Sequence, residues 1–278
     1  MIDKKLLIKH FSKNAANYDE YAVVQKVMAE DLMDVIKSRK INFEDNVQIL
    51  EIGCGTGYFT KLLLSTFVNA QITAVDIAPG MIELAEKRIK EYSMLNQKTN
   101  TVEFVCDDID TMEINRKYDL IVSNVTFQWL NNTYDTINKI MKSLTDEGVL
   151  CFSTLGEYTF NELHKSYKIA KRKLGINEEY VPSQKFLGFS EIMKNVSFEI
   201  TGKEYLFSQY FDSVKEFLNS VKKIGANNSN AKKCNKSLIL LKEMMNVYSE
   251  LFREDNKIKA TYHCMYFSLT EDKNTGKD

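Results

Sequence analysis

Between residues 45 and 155 the hydrophobic pattern changes period repeatedly. Upstream, Tyr21 to Lys40 carries Val24, Val27, Met28, Leu32, Val35 and Ile36 at helical spacing and predicts an amphipathic helix. Short apolar runs at Val47 to Ile52, Gln71 to Val75, Thr101 to Val105, Tyr118 to Ser123 and Gly148 to Thr154 predict strands. Helical patterns at Tyr58 to Phe67, Gly80 to Tyr92 and Tyr134 to Leu144 separate most of them. Such alternation implies βαβ units and a parallel sheet covered on both faces, and right-handed crossovers make it doubly wound. Ligands of such sheets sit at the carboxyl ends of the strands. Beyond Thr154 the rhythm slows. Thr159 to Leu174, Ser190 to Val196, Asp212 to Ile224 and Ser237 to Arg253 predict helices, and Phe198 to Phe211 and Ile258 to Leu269 predict two further strands. The expected architecture is therefore α/β, with a seven-stranded, mostly parallel sheet in one domain over residues 1–278. Its core spans about 45–155, 197–211 and 258–270. An N-terminal helical cap at 1–40 and helical insertions at about 157–196 and 212–255 are expected to close over the ligand edge.

The chain has 278 residues, 37 Lys and Arg against 38 Asp and Glu, and a formal net charge of −1. With 44% hydrophobic residues it has the makeup of a folded domain, and the balanced charge argues against a general nucleic-acid or membrane-surface role. Five scattered cysteines without a C-x-x-C pair argue against a disulfide scaffold and a structural zinc site, and favour a reducing compartment; the cytoplasm is expected, with no metal and no membrane span.

Candidate chemistry begins at Val47-Gln-Ile-Leu-Glu-Ile-Gly-Cys-Gly-Thr-Gly57. Gly53, Gly55 and Gly57 end a strand and open a helix, which lets the main chain turn sharply and approach a ligand. A dinucleotide site would space them G-x-G-x-x-G; here the third glycine comes one residue early and Tyr58 stands where that site needs room. Asp76 ends the next strand, where an acid can accept hydrogen bonds from both hydroxyls of a ribose; a helix N-cap before Pro79 is the other reading. Met81 fits beneath such a nucleoside or in plain core.

The E-x-G-x-G-x-G pattern from Glu51 to Gly57 resembles motif I of the class I, Rossmann-like S-adenosylmethionine-dependent methyltransferases. That resemblance assigns the adenine contacts to Asp108 and the main chain of Ile109, although Asp107 stands where relatives carry glycine and either acid, or a solvated acidic turn, fits the spacing. The fourth strand ends in Ser-Asn-Val-Thr-Phe-Gln-Trp-Leu130, with Asn124 a cofactor contact and Gln128 and Trp129 on the acceptor side; Trp129 serves equally as a core anchor. The N-P-P-Y type of sequence used on exocyclic base nitrogens is absent.

Four further segments narrow the family: HFSKNAANYDEYAVVQKVMAEDL, SNVTFQWLNN, FSTLGEYTFNELH, and the pair VKKIGANNSN and ATYHCMYFSL. In this order they resemble the malonyl-acyl-carrier-protein O-methyltransferases of biotin synthesis over nearly the whole chain. The resemblance implies methyl transfer from S-adenosylmethionine to the free carboxylate of a malonyl thioester, giving S-adenosylhomocysteine and the methyl ester that serves as primer. A carboxylate is already nucleophilic at neutral pH, so orientation rather than a general base is needed. Tyr18, Gln128, Tyr262 and His263 are the candidates to hold it, against packed core roles for each. Acyl-carrier proteins are acidic, and Lys222, Lys223, Lys232, Lys233, Lys236 and Lys242 form either a docking face or a solvated helix surface. A monomer is expected. A small-molecule carboxylate methyltransferase of the aconitate type, a non-catalytic adenosyl-binding protein and, least of all, a nicotinamide dehydrogenase are the rival readings.

Overall fold

The computed structural model describes residues 2–39, 46–96, 99–177, 183–226 and 238–271. Its frame is a run of parallel strands: β1 (Gln48–Ile52), β2 (Gln71–Asp76), β3 (Thr101–Cys106), β4 (Tyr118–Asn124) and β5 (Leu144–Leu155). Three more follow: β6 (Glu199–Phe211), the two-residue β7 (Arg253–Glu254) and β8 (Lys257–Thr270). The sheet runs β3-β2-β1-β4-β5-β8-β6, with β8 antiparallel to both neighbours and β7 paired on β8. Strand order reverses between β1 and β4. A crevice therefore opens there at the strands' carboxyl ends.

The apolar runs become strands because helices cover both faces and leave no solvent side. Ile49 and Leu50 are both fully buried, one packed toward α2 (Val23–Ser38) and α3 (Tyr58–Thr66), the other toward α5 (Thr133–Met141). On that second face an aromatic ladder crosses the sheet: Phe127 stacks on Phe152 at 4.1 Å, Phe152 on Phe267 at 5.1 Å, and Phe267 on Phe189 at 5.2 Å. Among the described residues no helix is long and apolar enough to cross a membrane.

The N-terminal region departs from the expected single helix. It holds α1 (Lys4–Tyr21), capped by Asp3 whose side chain accepts from the Leu6 amide, and then α2, with the break at Ala22. The α1 helix lies against α4 (Pro79–Asn96) so closely that a Cβ on Gly80 would stand 2.9 Å from Ser12 Cα. The expected count of seven strands becomes eight, because Asp255 and Asn256 both adopt positive φ and close a tight hairpin between β7 and β8. The insertions fold as α6 (Asn161–Lys173) and α7 (Phe189–Asn195) before β6, and as α8 (Val214–Lys223) and α9 (Leu238–Leu251) after it.

Gly57 caps α3 at φ +80, and a Cβ there would meet Ala85 of α4 at 3.1 Å. The third glycine of the motif therefore serves the packing of α3 on α4. Gly57→Ala is expected to cost about 1–3 kcal/mol of stability from the left-handed backbone alone, read as a lowered denaturation midpoint with an unchanged m-value.

Candidate active site

The glycine loop is held from β2. Gly53 and Cys54 both donate their amides to the Val75 carbonyl, at 2.7 and 3.0 Å. Gly55 N–H donates to Asp76 Oδ2 at 2.9 Å, while Asp76 Oδ1 accepts from the Ala78 amide at 2.8 Å. The carboxylate thus clasps the glycine loop and also shapes the entry to α4. Among the described residues no cation pairs with it, and burial pushes its pKa up to about 6 against the pull of the two amides. At Gly55 a Cβ would meet nothing within 4 Å, so bare main chain at φ +54 faces open space. Gly53, at φ +73, abuts Thr126 at the end of β4 so tightly that a Cβ would overlap its side chain.

Beyond β4, Val125 adopts φ +51, an uncommon conformation for a β-branched residue. Its amide donates to the Ser153 carbonyl and to Ser153 Oγ, both at 3.1 Å, and its carbonyl accepts from Gln128 Nε2 at 2.7 Å. Asn124 is equally fixed. Its Nδ2 donates to the Gln25 carbonyl at 2.9 Å and its Oδ1 accepts from Ser153 Oγ at 2.7 Å. Thr154 Oγ1 donates to Gln128 Oε1 at 3.0 Å. These bonds give the strained turn one geometry.

One cavity of about 750 Å³ runs from this edge into the insertions. Of the residues expected from sequence, Tyr18, Gly53, Gly55, Asp76, Met81, Asp108, Ile109, Asn124, Gln128, Trp129, Tyr262 and Lys222 line it. Tyr18 stands near enough to Asp76 to feel its charge; burial first, then Asp76 and Asp19, push its phenol well above the usual tyrosine range, so it remains a neutral donor. Met81 packs with Ala15, Ala78, Phe11 and Tyr18, and Trp129 meets Phe11 edge-on at 5.5 Å. Lys222 is exposed at the rim together with Lys215, seven residues earlier on α8.

Other expected residues lie elsewhere. Glu51 is buried beneath the loop, accepts from Thr60 Oγ1 at 2.6 Å, and is pushed up to about 8 by burial, opposed by the Thr60 bond and aided by Asp76. It does not line the cavity. His263 is turned away as well: its neighbour Tyr262 faces the cavity, and strand alternation sends the imidazole to the other side of β8. There Nε2 is 2.6 Å from Glu204 Oε2 and the ring lies 4.9 Å from that of Tyr158. The expectation that it meets the acceptor is dropped. Lys223 and Lys242 are exposed and away from the lining, and Lys232, Lys233 and Lys236 fall outside the described residues.

The structure adds residues that the motifs did not indicate. Lys4 lines the cavity and pairs with Asp108 Oδ1 at 3.1 Å and Asp110 Oδ2 at 2.9 Å. At the other end of α1, Asp19 pairs with Arg88 and accepts from Thr56 Oγ1, at 2.7 Å, in the glycine loop. So α1 is tied at both ends across the crevice. The spacing of Lys4, Leu7, Phe11 and Tyr18 on one helical face was the available signal. Gln184, Ser183 and Tyr167 come from the first insertion and had none.

A family model described as "Methyltransferase domain" matches residues 50–150, the segment holding the glycine loop, Asp76 and the end of β4. The malonyl-(acyl-carrier protein) O-methyltransferase of Acetivibrio thermocellus is 49% identical, over 96% of this chain and 94% of its own. That of Priestia megaterium is 42% identical over 98% and 99%. The chain belongs to the malonyl-(acyl-carrier protein) O-methyltransferase family. The fold of this family member is also similar to that of the solved YcgJ protein from Bacillus subtilis, with a TM-score of 0.59 at 10% identity, covering 87% of this chain and 99% of that one. Among the described residues, no group of three or more His, Cys, Asp or Glu could hold a metal ion.

With Asp76 as the expected ribose acceptor, its raised pKa predicts a pH dependence for the binding of adenosyl ligands. Above about pH 6 the carboxylate accepts hydrogen bonds; as pH falls through that value it gains a proton and loses acceptor capacity. Calorimetric affinity for S-adenosylhomocysteine is expected to decline on acidification through this window, and Asp76→Asn to weaken binding and flatten the decline.

Proposed function

We propose that this protein transfers the methyl group of S-adenosylmethionine to the free carboxylate of a malonyl group held as a thioester on acyl-carrier protein. The observation that carries the proposal is the single cavity joining the glycine loop and Asp76 to an apolar arm walled by the insertions, with the uncharged Tyr18 hydroxyl among its lining. The names of the relatives that share nearly the full length of the chain support the same reading.

The bound nucleoside supplies an electrophilic methyl carbon on a sulfonium. The residues of this chain would hold it through the open main chain at Gly53 and Gly55, the Asp76 carboxylate on the ribose hydroxyls, Met81 beneath, and Asp108 with the Ile109 amide at the adenine. The Lys4 ammonium, already on Asp108 Oδ1, closes that end. Asn124, fixed through Gln25 and Ser153, shapes the side where the methyl lies. A malonyl oxygen then forms the new bond as the carbon–sulfur bond breaks with its electron pair going to sulfur, and no proton moves. Opposite charges cancel along the way, so an apolar enclosure holding neutral donors favours the reaction, whereas a tight ion pair would stabilise the ground state. Tyr18, Gln128 and Tyr262 provide the neutral donors, and Trp129 the adjoining wall. Lys215 and Lys222, with Lys223 beyond, give the rim a positive edge suited to an acidic carrier. The free cysteines Cys54, Cys106, Cys151 and Cys264 support a cytoplasmic setting.

Incubation with methyl-labelled S-adenosylmethionine is expected to label malonyl-acyl-carrier protein. Labelling of free malonate or aconitate but not of the thioester would favour the small-acid reading and remove this one. Tyr18→Phe is expected to lower kcat on the carrier substrate at least about tenfold while the S-adenosylhomocysteine Kd stays within about twofold, as measured by steady-state kinetics beside calorimetry.

A further inference from the structure

The cavity is polar at the glycine loop and apolar where α6, α8 and α9 close it, with Leu163, Tyr167, Leu218, Leu241 and Met245 in its wall. Two primary amides lie in this part of the lining, the exposed Asn219 on α8 and the buried Gln184. Gln184 lines the cavity and is 7% exposed, and among the described residues neither its Oε1 nor its Nε2 has a hydrogen-bond partner. Among the described residues it is the only buried side-chain amide left in this state. The chain beside it is anchored: Ser183 Oγ donates to the Gln184 carbonyl at 3.0 Å and stands 2.7 Å from His164 Nε2. The backbone is thus held in place while the amide itself is buried and left without a partner among the described residues.

Leaving both a donor and an acceptor unpaired in an apolar wall is unfavourable, and such groups call for a partner that arrives later. The partner's chemistry follows from the group. A primary amide gives hydrogen bonds through nitrogen and accepts them at oxygen, so it matches a ligand that presents a carbonyl and an N–H in series. A carboxylate would answer only the nitrogen and an ammonium only the oxygen. The flexible arm that carries an acyl thioester on a carrier protein contains peptide-type amides joined by apolar links, which suits both this amide and the wall around it.

We propose that Gln184 is a specificity residue of the acceptor site, donating through Nε2 to a carbonyl and accepting at Oε1 from an N–H of the amide-bearing arm behind the malonyl thioester. This rests on the carrier-thioester reading above.

The test compares two small acceptors: the malonyl thioester of N-acetylcysteamine, which bears one amide, and that of butanethiol, which bears none. The readout is the ratio of their kcat/KM values, which does not depend on the fraction of folded enzyme. The wild-type protein is expected to prefer the amide-bearing acceptor, and Gln184→Leu and Gln184→Ala to reduce that preference about tenfold, the size of one well-made hydrogen bond to a buried group. The thermal midpoint of Gln184→Leu without acceptor is expected to equal or exceed that of the wild type, since the unpaired amide is gone. A preference unchanged in both variants, or absent from the wild type, overturns the proposal while leaving methyl transfer intact. Failure of the wild-type protein to methylate any malonyl thioester, the carrier-bound form included, would instead remove the reading on which it rests.

Discussion

Asp76 ties the glycine loop to the entry of α4. One oxygen receives the Gly55 amide and the other the Ala78 amide, so the turn after β1 and the entry to α4 share one half-buried carboxylate. Among the described residues no lysine or arginine offsets its charge; two main-chain amides do so instead, and burial still leaves it at about 6. The open main chain at Gly55 and the close approach of Gly53 to Thr126 go with the loop lying where this clasp sets it.

Around that clasp the molecule separates charge from apolar surface. The acids at the ends of β2 and β3 are met by α1, whose Lys4 reaches Asp108 and Asp110 while Asp19 reaches Arg88 and the glycine-loop Thr56. Ion pairs of this partly buried kind contribute less to net stability than to register. They seat α1 so that Leu7, Phe11 and Tyr18 present one face to the cavity. The insertions supply the other wall, which is mostly apolar. A reaction in which opposite charges cancel gains from that contrast, since water would hold the separated charges back.

The unpaired amide of Gln184 and the positive φ of Val125 are costs in the same region, of about 1–3 kcal/mol each. Both lie on the cavity, and the surrounding sheet is buried on both faces and able to bear them. Local departures from good packing and pairing that gather at one site mark where folding has been subordinated to binding.

The sequence alone determined the parallel core, because fully buried strands read as unbroken apolar runs and covering helices as a 3.6-residue pattern; β1 to β4 and their helices begin and end within a few residues of expectation. It also determined the glycine loop and Asp76, whose chemistry is local: positive φ and a strand-end acid are written in residue type and spacing. Only the tertiary structure decided what distant segments do together. Gly57 looks like its neighbours in sequence, yet serves α3 against α4 because Ala85 lies beneath it. Tyr262 and His263 are adjacent, yet the pairing of β8 between β5 and β6 sends one to the cavity and the other to Glu204. Lys4 and Gln184 carry no motif, since their roles arise from the approach of α1 and the first insertion to the crevice, and long-range approach leaves no period in the chain.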